Sequence, residues 1–240
     1  MLLFYIKING YIVIKLNKNT ILDIKIGSKS SNLIELQKRD FKAPNGILLT
    51  TEDLNDIDNI KLPYKNTSLA IRSAALGEDN NNSSFAGIFK SILNVDSDNY
   101  INAIKEVYQS FYSKKSEVYQ SIKKVSITPQ ILIQEMIESK YSVVFFIKNN
   151  EISFSFVEGA CEKIVSGTED VKEYTTTFEY LNAFIQDNED TLIDEIGLLD
   201  FMEIELMSLA NNLNKDILMD IEMTYDGNEW WILQIRELNI

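Results

Sequence analysis

The stretch Leu218-Met219-Asp220-Ile221-Glu222-Met223-Thr224-Tyr225-Asp226-Gly227-Asn228-Glu229-Trp230-Trp231-Ile232-Leu233-Gln234-Ile235-Arg236 decides the fold class. Leu218 to Thr224 and Trp230 to Arg236 are rich in β-branched, aromatic and apolar residues around Asp226-Gly227, which predicts two antiparallel strands. Strand alternation puts Asp220 and Glu222 on one face and Met219, Ile221 and Met223 on the other. In the second run Gln234 and Arg236 share a face opposite Trp231, Leu233 and Ile235. A carboxylate, an amide oxygen and a guanidinium on one face suit Mg²⁺ and a polyphosphate, because Mg²⁺ takes hard oxygen ligands and shares them with phosphates. A solvated polar sheet face explains the same pattern. Paired residues of an antiparallel ladder point to one face, so Glu222 and Gln234 can share a metal only if their pairing skips the register of a plain Asp226-Gly227 turn. The sequence therefore predicts a loop with an odd number of residues, or a bulge.

Outward from this pair, Ile131 to Ile137, Ser142 to Lys148 and Ile152 to Val157 read as further strands of an antiparallel sheet, with Asn149-Asn150 as a turn. Met202, Leu206, Leu209 and Leu213 form a helical stripe. Near the start, Tyr5 to Ile8 and Tyr11 to Leu16 flank the hairpin signal Asn9-Gly10. Ser30 or Ser31 can cap a helix through about Lys38, Ile47 to Thr50 and Leu69 to Arg72 read as strands, and Asn80 to Ser84 is a polar loop. Asp98 is a candidate cap for a helix bearing Ile101, Ile104, Val107, Tyr108 and Phe111 on one face. The expectation is an α+β protein with antiparallel sheets and flanking helices, in two lobes spanning 1–127 and 128–240.

Composition narrows the chemistry. Hydrophobic residues at 45% and charged residues at 25% of 240 predict a folded core. A formal charge of −13 argues against a nucleic-acid or anionic-membrane surface. The chain has no His and a single Cys, Cys161, which excludes Ser-His and Cys-His catalysis, a phosphohistidine on this chain and a disulfide within it. Met1 to Leu16 is apolar but broken by Lys7, Asn9, Gly10 and Lys15, so it reads as neither a spanning helix nor a signal peptide, and a cytoplasmic protein is expected. Only Arg39, Arg72 and Arg236 of the 23 cationic residues are arginines. Arg72 and Arg236 fall on predicted strands, where a planar fork can grip phosphate, although an ordinary salt bridge to one of the 36 acidic residues is the plainer reading of each taken alone. Gly27-Ser28-Lys29-Ser30-Ser31-Asn32-Leu33 sets a lysine at a helix start, where backbone N–H groups and an ammonium can meet a phosphate, but it lacks the second glycine of a Walker A loop.

Taken in order, these motifs resemble the nucleotide-binding domain, of ATP-grasp type, of the pyruvate phosphate dikinase, phosphoenolpyruvate synthase and rifampicin phosphotransferase family. Gly27 to Leu33 is similar to Gly-Gly-Lys-Gly-x-Asn-Leu, and Ala43-Pro44-Asn45-Gly46-Ile47-Leu48-Leu49-Thr50 to Val-Pro-x-Gly-Phe-x-x-Thr. Ala70-Ile71-Arg72-Ser73-Ala74-Ala75-Leu76-Gly77-Glu78-Asp79, followed by Ser84-Phe85-Ala86-Gly87, resembles Val-Arg-Ser-Ser-Ala-x-x-Glu-Asp and its loop. Ile133-Gln134-Glu135-Met136-Ile137 resembles Val-Gln-x-Met-Val. Gly159-Ala160-Cys161-Glu162 and Val165-Ser166-Gly167 resemble Gly-Leu-Gly-Glu and Val-Ser-Gly. Asp220-Ile221-Glu222 and Ile232-Leu233-Gln234-Ile235-Arg236 look like Asp-Ile-Glu-Trp and Tyr-Ile-Leu-Gln-x-Arg-Pro.

The resemblance implies a two-lobed ATP-grasp-like fold and the cofactors ATP and Mg²⁺. It implies that Lys29, Arg72 and Arg236 contact the phosphates as catalytic cations, and that Glu222 and Gln234 hold the metal. Ser84 and Gly87 would belong to a loop over the phosphates, Gln134, Glu135, Met136 and Ile137 would pass the adenine, and Glu162 would complete the nucleotide contacts. Family members add a phosphohistidine domain that this chain does not carry, so a separate His-bearing protein is the implied partner of an ATP-dependent phosphotransferase, with a small-molecule acceptor as the other route. Ser28, Ser30, Val143 and Cys161 stand at glycine positions of the family and Glu237 at a proline. Lost glycines restrict close backbone approach to phosphate, which leaves a catalytically inactive nucleotide-binding regulatory module as the alternative.

Overall fold

The computed structural model describes residues 5–8, 11–20, 24–80, 83–84, 87–166, 171–180, 183–184, 197–201 and 218–238. It divides into two compact units, Met1–Met136 and Ile137–Ile240.

The first unit is built on a six-stranded sheet in the order β1-β2-β3-β8-β4-β7, with every neighbouring pair antiparallel. Its strands are β1 (Tyr5–Ile8), β2 (Tyr11–Leu16), β3 (Gly46–Leu49), β4 (Ser68–Ser73), β7 (Ser91–Asp96) and β8 (Ile131–Glu135). Ile47, Leu49, Leu69, Ile71, Ile131 and Ile133 form one buried cluster with Ala103, Ile104 and Val107 of helix α3 (Tyr100–Ser110) and with Phe111 beyond it. That is the helical stripe expected from the sequence, and each such fully buried Leu or Ile contributes about 1.5–3 kcal/mol. On the opposite face, helix α1 (Ser28–Lys38) buries Leu33, Ile34 and Leu36. Ile47 to Leu49 of β3 and Ile131 to Ile133 of β8 are therefore apolar without alternation, since both faces are covered there. A side chain at Gly46 would stand 2.7 Å from Leu132 Cδ1 and 3.5 Å from Leu33 Cδ2.

Two helix caps and one strand assignment need correction here. Helix α1 begins at Ser28 with Gly27 at its N-cap, ahead of Ser30 and Ser31, because the backbone at Gly27 is fixed from outside the helix: its N–H donates to Gln130 Oε1 at 3.0 Å. Strand β8 was expected in the later sheet. It lies instead between β3 and β4, pairing Leu48 with Leu132 and Ile71 with Ile133. The division by contacts consequently falls after Met136, whereas the sequence suggested a boundary after residue 127. Helix α3 starts at Tyr100 with Asn99 at the N-cap position rather than Asp98. The short helices α2 (Thr51–Leu54) and α4 (Lys114–Lys123) and strand β7 were not foreseen. Asn9-Gly10 itself lies outside the described residues, but Ile8 pairs with Tyr11 as the hairpin reading requires.

The second unit carries a five-stranded antiparallel sheet in the order β11-β10-β9-β12-β13. These are β9 (Tyr141–Lys148), β10 (Glu151–Glu158), β11 (Lys172–Thr177), β12 (Leu218–Tyr225) and β13 (Trp230–Leu238), with the short helices α5 (Glu162–Ser166) and α6 (Leu198–Phe201). Phe145, Ile147, Ile152, Phe154, Met219, Ile221 and Met223 alternate onto one face and are buried. Phe154 stacks on Tyr174 at 4.8 Å and tilts against Phe145 at 5.3 Å. The opposite face takes Asp220, Glu222 and Thr224 from β12 and Ser142 from β9. The stripe Met202 to Leu213 lies outside the described residues.

Candidate functional site

Arg72 lies on β4, an interior strand, with Leu132 opposite it on β8 and Ser91 opposite it on the edge strand β7. Its Nε is buried and makes no hydrogen bond, and the guanidinium has no ion-pair partner among the described residues. In a chain with 36 acidic residues this is an unusual way to leave an arginine. A buried guanidinium N–H without an acceptor is costly, and a phosphate oxygen satisfies both its charge and its geometry.

The start of α1 docks on the turn that follows Arg72. A Cβ on Gly27 would meet Ala74 O at 2.2 Å and Ala75 O at 2.7 Å, so only glycine permits the contact. Gln130 bridges the same place, accepting from Gly27 N–H at 3.0 Å, donating to Lys25 O at 3.1 Å, and accepting Ala74 N–H at its own carbonyl at 2.9 Å. Lys29, the second residue of the helix, points its Nζ at Glu78, with which it forms an ion pair, and at Ser73 Oγ at 3.3 Å.

In the second unit the β12–β13 ladder pairs Tyr225 with Trp230, Thr224 with Trp231 and Met223 with Ile232, then shifts register so that Glu222 pairs with Gln234 and Asp220 with Arg236. The predicted bulge is present, and Leu233 is the extra residue. Four residues, Asp226 to Glu229, make the connection, so the two-residue turn that the Asp-Gly pair suggested does not form. Asp226 closes the loop by accepting from Asn228 N–H at 2.8 Å, Glu229 N–H at 3.0 Å and Trp231 Nε1 at 2.9 Å. The bulge also changes one expected face. Trp231, paired with Thr224, lies on the side of Glu222 and not with Ile235, while Ile232 joins the core beside Met223.

Gln234 Nε2 donates to Glu222 Oε1 at 3.1 Å. Arg236 Nη2 pairs with Asp220 Oδ2 at 2.8 Å and lies 3.6 Å from Glu222 Oε1, while its Nε is buried without a hydrogen bond. Glu222, Gln234 and Arg236 thus meet on one face, joined by Asp220, which the sequence placed there without a role. The donor set fits Mg²⁺ in one respect: the Glu222 carboxylate and the Gln234 amide meet across the ladder, and a half-turn of the amide would present its oxygen in place of Nε2. Among the described residues no group of three His, Cys, Asp or Glu side chains is gathered for a metal, so an ion here would need phosphate oxygens to complete its shell.

The remaining expected residues are more dispersed. Gln134 is buried in β8, its Nε2 3.4 Å from Pro44 O. Glu135 ends that strand exposed, and Met136 N–H donates to Ser68 O at 2.9 Å, extending the sheet toward Ile137. Burial, and secondarily the Glu135 carboxylate, pushes the Tyr64 hydroxyl above its ordinary range. Ser84 pairs with Asp79 in the two-stranded ribbon of β5 (Asp79–Asn80) and β6 (Ser83–Ser84), and Gly87 follows at φ +66°, its carbonyl accepting Lys115 Nζ at 2.8 Å. Glu162 opens α5, exposed, one residue after buried Cys161, whose Sγ lies 3.2 Å from Met223 O. The residue that sequence reasoning passed over is Glu78, which sits inside a quoted motif. Its signal was the glutamate of that motif, to which no role was attached.

Residues 54–192 match the family described as pyruvate phosphate dikinase, AMP/ATP-binding domain. The chain is 27% identical to the "Uncharacterized phosphotransferase YvkC" of Bacillus subtilis, over 59% of this chain and 22% of that protein. It is also 27% identical to a "Probable phosphoenolpyruvate synthase" of Pyrococcus horikoshii, over 66% of this chain and 21% of that protein. The chain thus spans about a fifth of the length of these curated relatives. Among solved structures, PH1788 from Pyrococcus horikoshii matches with a TM-score of 0.51 at 15% identity, covering 88% of this chain and 89% of that one. A dinucleotide-forming acetyl-coenzyme A synthetase from Ca. Korarchaeum cryptofilum matches with a TM-score of 0.52 at 11% identity, covering 89% and 92%. These two likenesses bear on the fold alone, and the α+β, ATP-grasp-like class expected from the sequence holds. Among the described residues no helix is long and apolar enough to cross a membrane.

Proposed function

Because the chain belongs to the pyruvate phosphate dikinase AMP/ATP-binding domain family, we propose that it binds ATP with Mg²⁺ and passes a phosphoryl group to a histidine-bearing partner protein or to a small-molecule acceptor. The observation that carries this reading is Arg72, a half-buried guanidinium without an acceptor for its Nε on β4, an interior strand next to the edge strand β7. Lys29, Arg72 and Arg236 serve as the phosphate-binding cations, and Glu222 and Gln234 as the metal ligands. Mg²⁺ supplies charge neutralisation at the phosphate oxygens and a template for their alignment. The protein's own part is to hold three cations where negative charge develops, since phosphoryl transfer is mostly positioning and electrostatic stabilisation. Gln134 to Ile137 supplies the backbone edge for adenine, Ser84 and Gly87 belong to the loop over the phosphates, and Glu162 adds a polar contact. We also assign the protein to the cytoplasm, where ATP is supplied.

A regulatory, non-catalytic nucleotide module is the second reading, favoured by Ser28, Ser30, Val143 and Cys161 at glycine positions of the family. Calorimetry and thermal melting with Mg²⁺ and ATP test the shared premise. A ligand at ~100 times its Kd adds about 2.7 kcal/mol of stability, so saturating ATP should raise the melting temperature. Neither heat nor a shift at saturating ATP sinks both readings, whereas tight binding without phosphoryl transfer to any acceptor favours the second.

A further inference from the structure

We infer that Glu78 is the positioning residue of Lys29, holding its ammonium in place to meet a nucleotide phosphate; this rests on the ATP reading above. The Glu78 side chain is 5% exposed, and a carboxylate that deeply placed must be paired and hydrogen-bonded. Its Oε1 takes the Lys29 ammonium and Ser73 O–H at 3.2 Å, and its Oε2 takes Ala75 N–H at 3.1 Å. Both carboxylate oxygens are thereby fixed to the turn that ends the Arg72 strand.

Contrast decides that this pair is more than a surface contact. The Lys18–Asp40 pair leaves its side chains 60% and 81% exposed, and such pairs contribute little. Lys29 is 11% exposed and stands on a helix start locked by Gly27 and Gln130. A lysine has a long flexible stem and three donors on its ammonium. Glu78 and Ser73 hold that stem in one direction and leave a donor open, so a phosphate arrives at a cation already ordered, which is how preorganisation adds affinity. The competing role for Glu78 is to pin the turn through Ala75 N–H alone. The two roles differ in whether the effect of Glu78 passes through Lys29.

A double-mutant cycle on ATP affinity separates them. Calorimetry with Mg²⁺ and ATP on Glu78→Gln should give roughly tenfold weaker binding, and in a Lys29→Met background the same change should alter affinity by less than about twofold. Equal losses in both backgrounds overturn the positioning role, because a turn defect does not need the lysine. If Glu78→Gln does not fold, Ser73→Ala removes only the bridging hydroxyl and must follow the same pattern with a smaller loss; an equal loss in both backgrounds again overturns it. A Lys29→Met chain with wild-type affinity overturns the inference while ATP binding stands, and a wild-type chain that binds no ATP overturns both.

Discussion

Gly27 has no room for a side chain, since its Cβ would lie 2.2 Å from a backbone carbonyl that cannot rotate away. Gly27→Ala should therefore push α1 off the turn at Ala74 and cost about 1–3 kcal/mol, the range for forced overpacking, read as a lower urea midpoint. Arg72 invites a different test, because its charge and its shape can be separated. Arg72→Lys keeps the charge and loses the fork, so ATP should bind roughly ten- to hundredfold more weakly, while Arg39→Ala, on an exposed residue at the end of α1, should leave binding unchanged. Unchanged affinity in Arg72→Lys would mean that the guanidinium does not meet phosphate. Arg72 was legible in the sequence because arginine is scarce here and this one fell on a strand. Glu78 was not, because whether an acidic side chain turns inward depends on Lys29, 49 positions away, and no local pattern reports that.

The β12–β13 pair extends the same argument from side chains to strands. A bulge somewhere was deducible from the demand that Glu222 and Gln234 share a face, but its place was not, so Trp231 was assigned to the wrong side. Deleting Leu233 should leave a regular ladder in which Glu222 still faces Gln234, and Mg²⁺-dependent ATP binding should survive. Deleting Ile235 should turn Arg236 into the core and abolish it. Loss of binding in both deletions, with both chains folded by circular dichroism, would count against the face assignment. Asp226 is the keystone of the loop, with three donors on one carboxylate. Asp226→Ala should cost about 2 kcal/mol by denaturant titration, since each hydrogen bond contributes a net ~0.5–1.5 kcal/mol, without changing the residues that meet ATP. Strand β8 was misassigned for a plainer reason. A fully apolar run such as Ile131 to Ile133 announces burial on both sides but not the sheet that supplies it, and its neighbours Leu48 and Ile71 lie far away in sequence.

Across the full chain, charge makes the cations of the proposed site exceptional: the net charge is −13, and an anionic ligand must be held by a few placed groups against that background. Both Lys29 and Arg236 are already neutralised by a carboxylate, while Arg72 has no such partner among the described residues. Attraction of ATP should then lean on Arg72 and on Mg²⁺, and affinity should fall with rising salt. The chemistry can be separated from mere binding because these 240 residues contain no His. Labelled ATP should leave no acid-labile phosphohistidine on these 240 residues under any condition, so phosphate transferred to a histidine must appear outside them. With the matching His-bearing protein added, that partner should become labelled as ATP is consumed. Glu222→Ala should suppress both by removing the carboxylate that pairs with Gln234 and stands beside Arg236. Equal labelling by the wild type and Glu222→Ala would establish the activity and refute the site, because a carboxylate that steadies the metal and the developing charge cannot be dispensable to the step it serves.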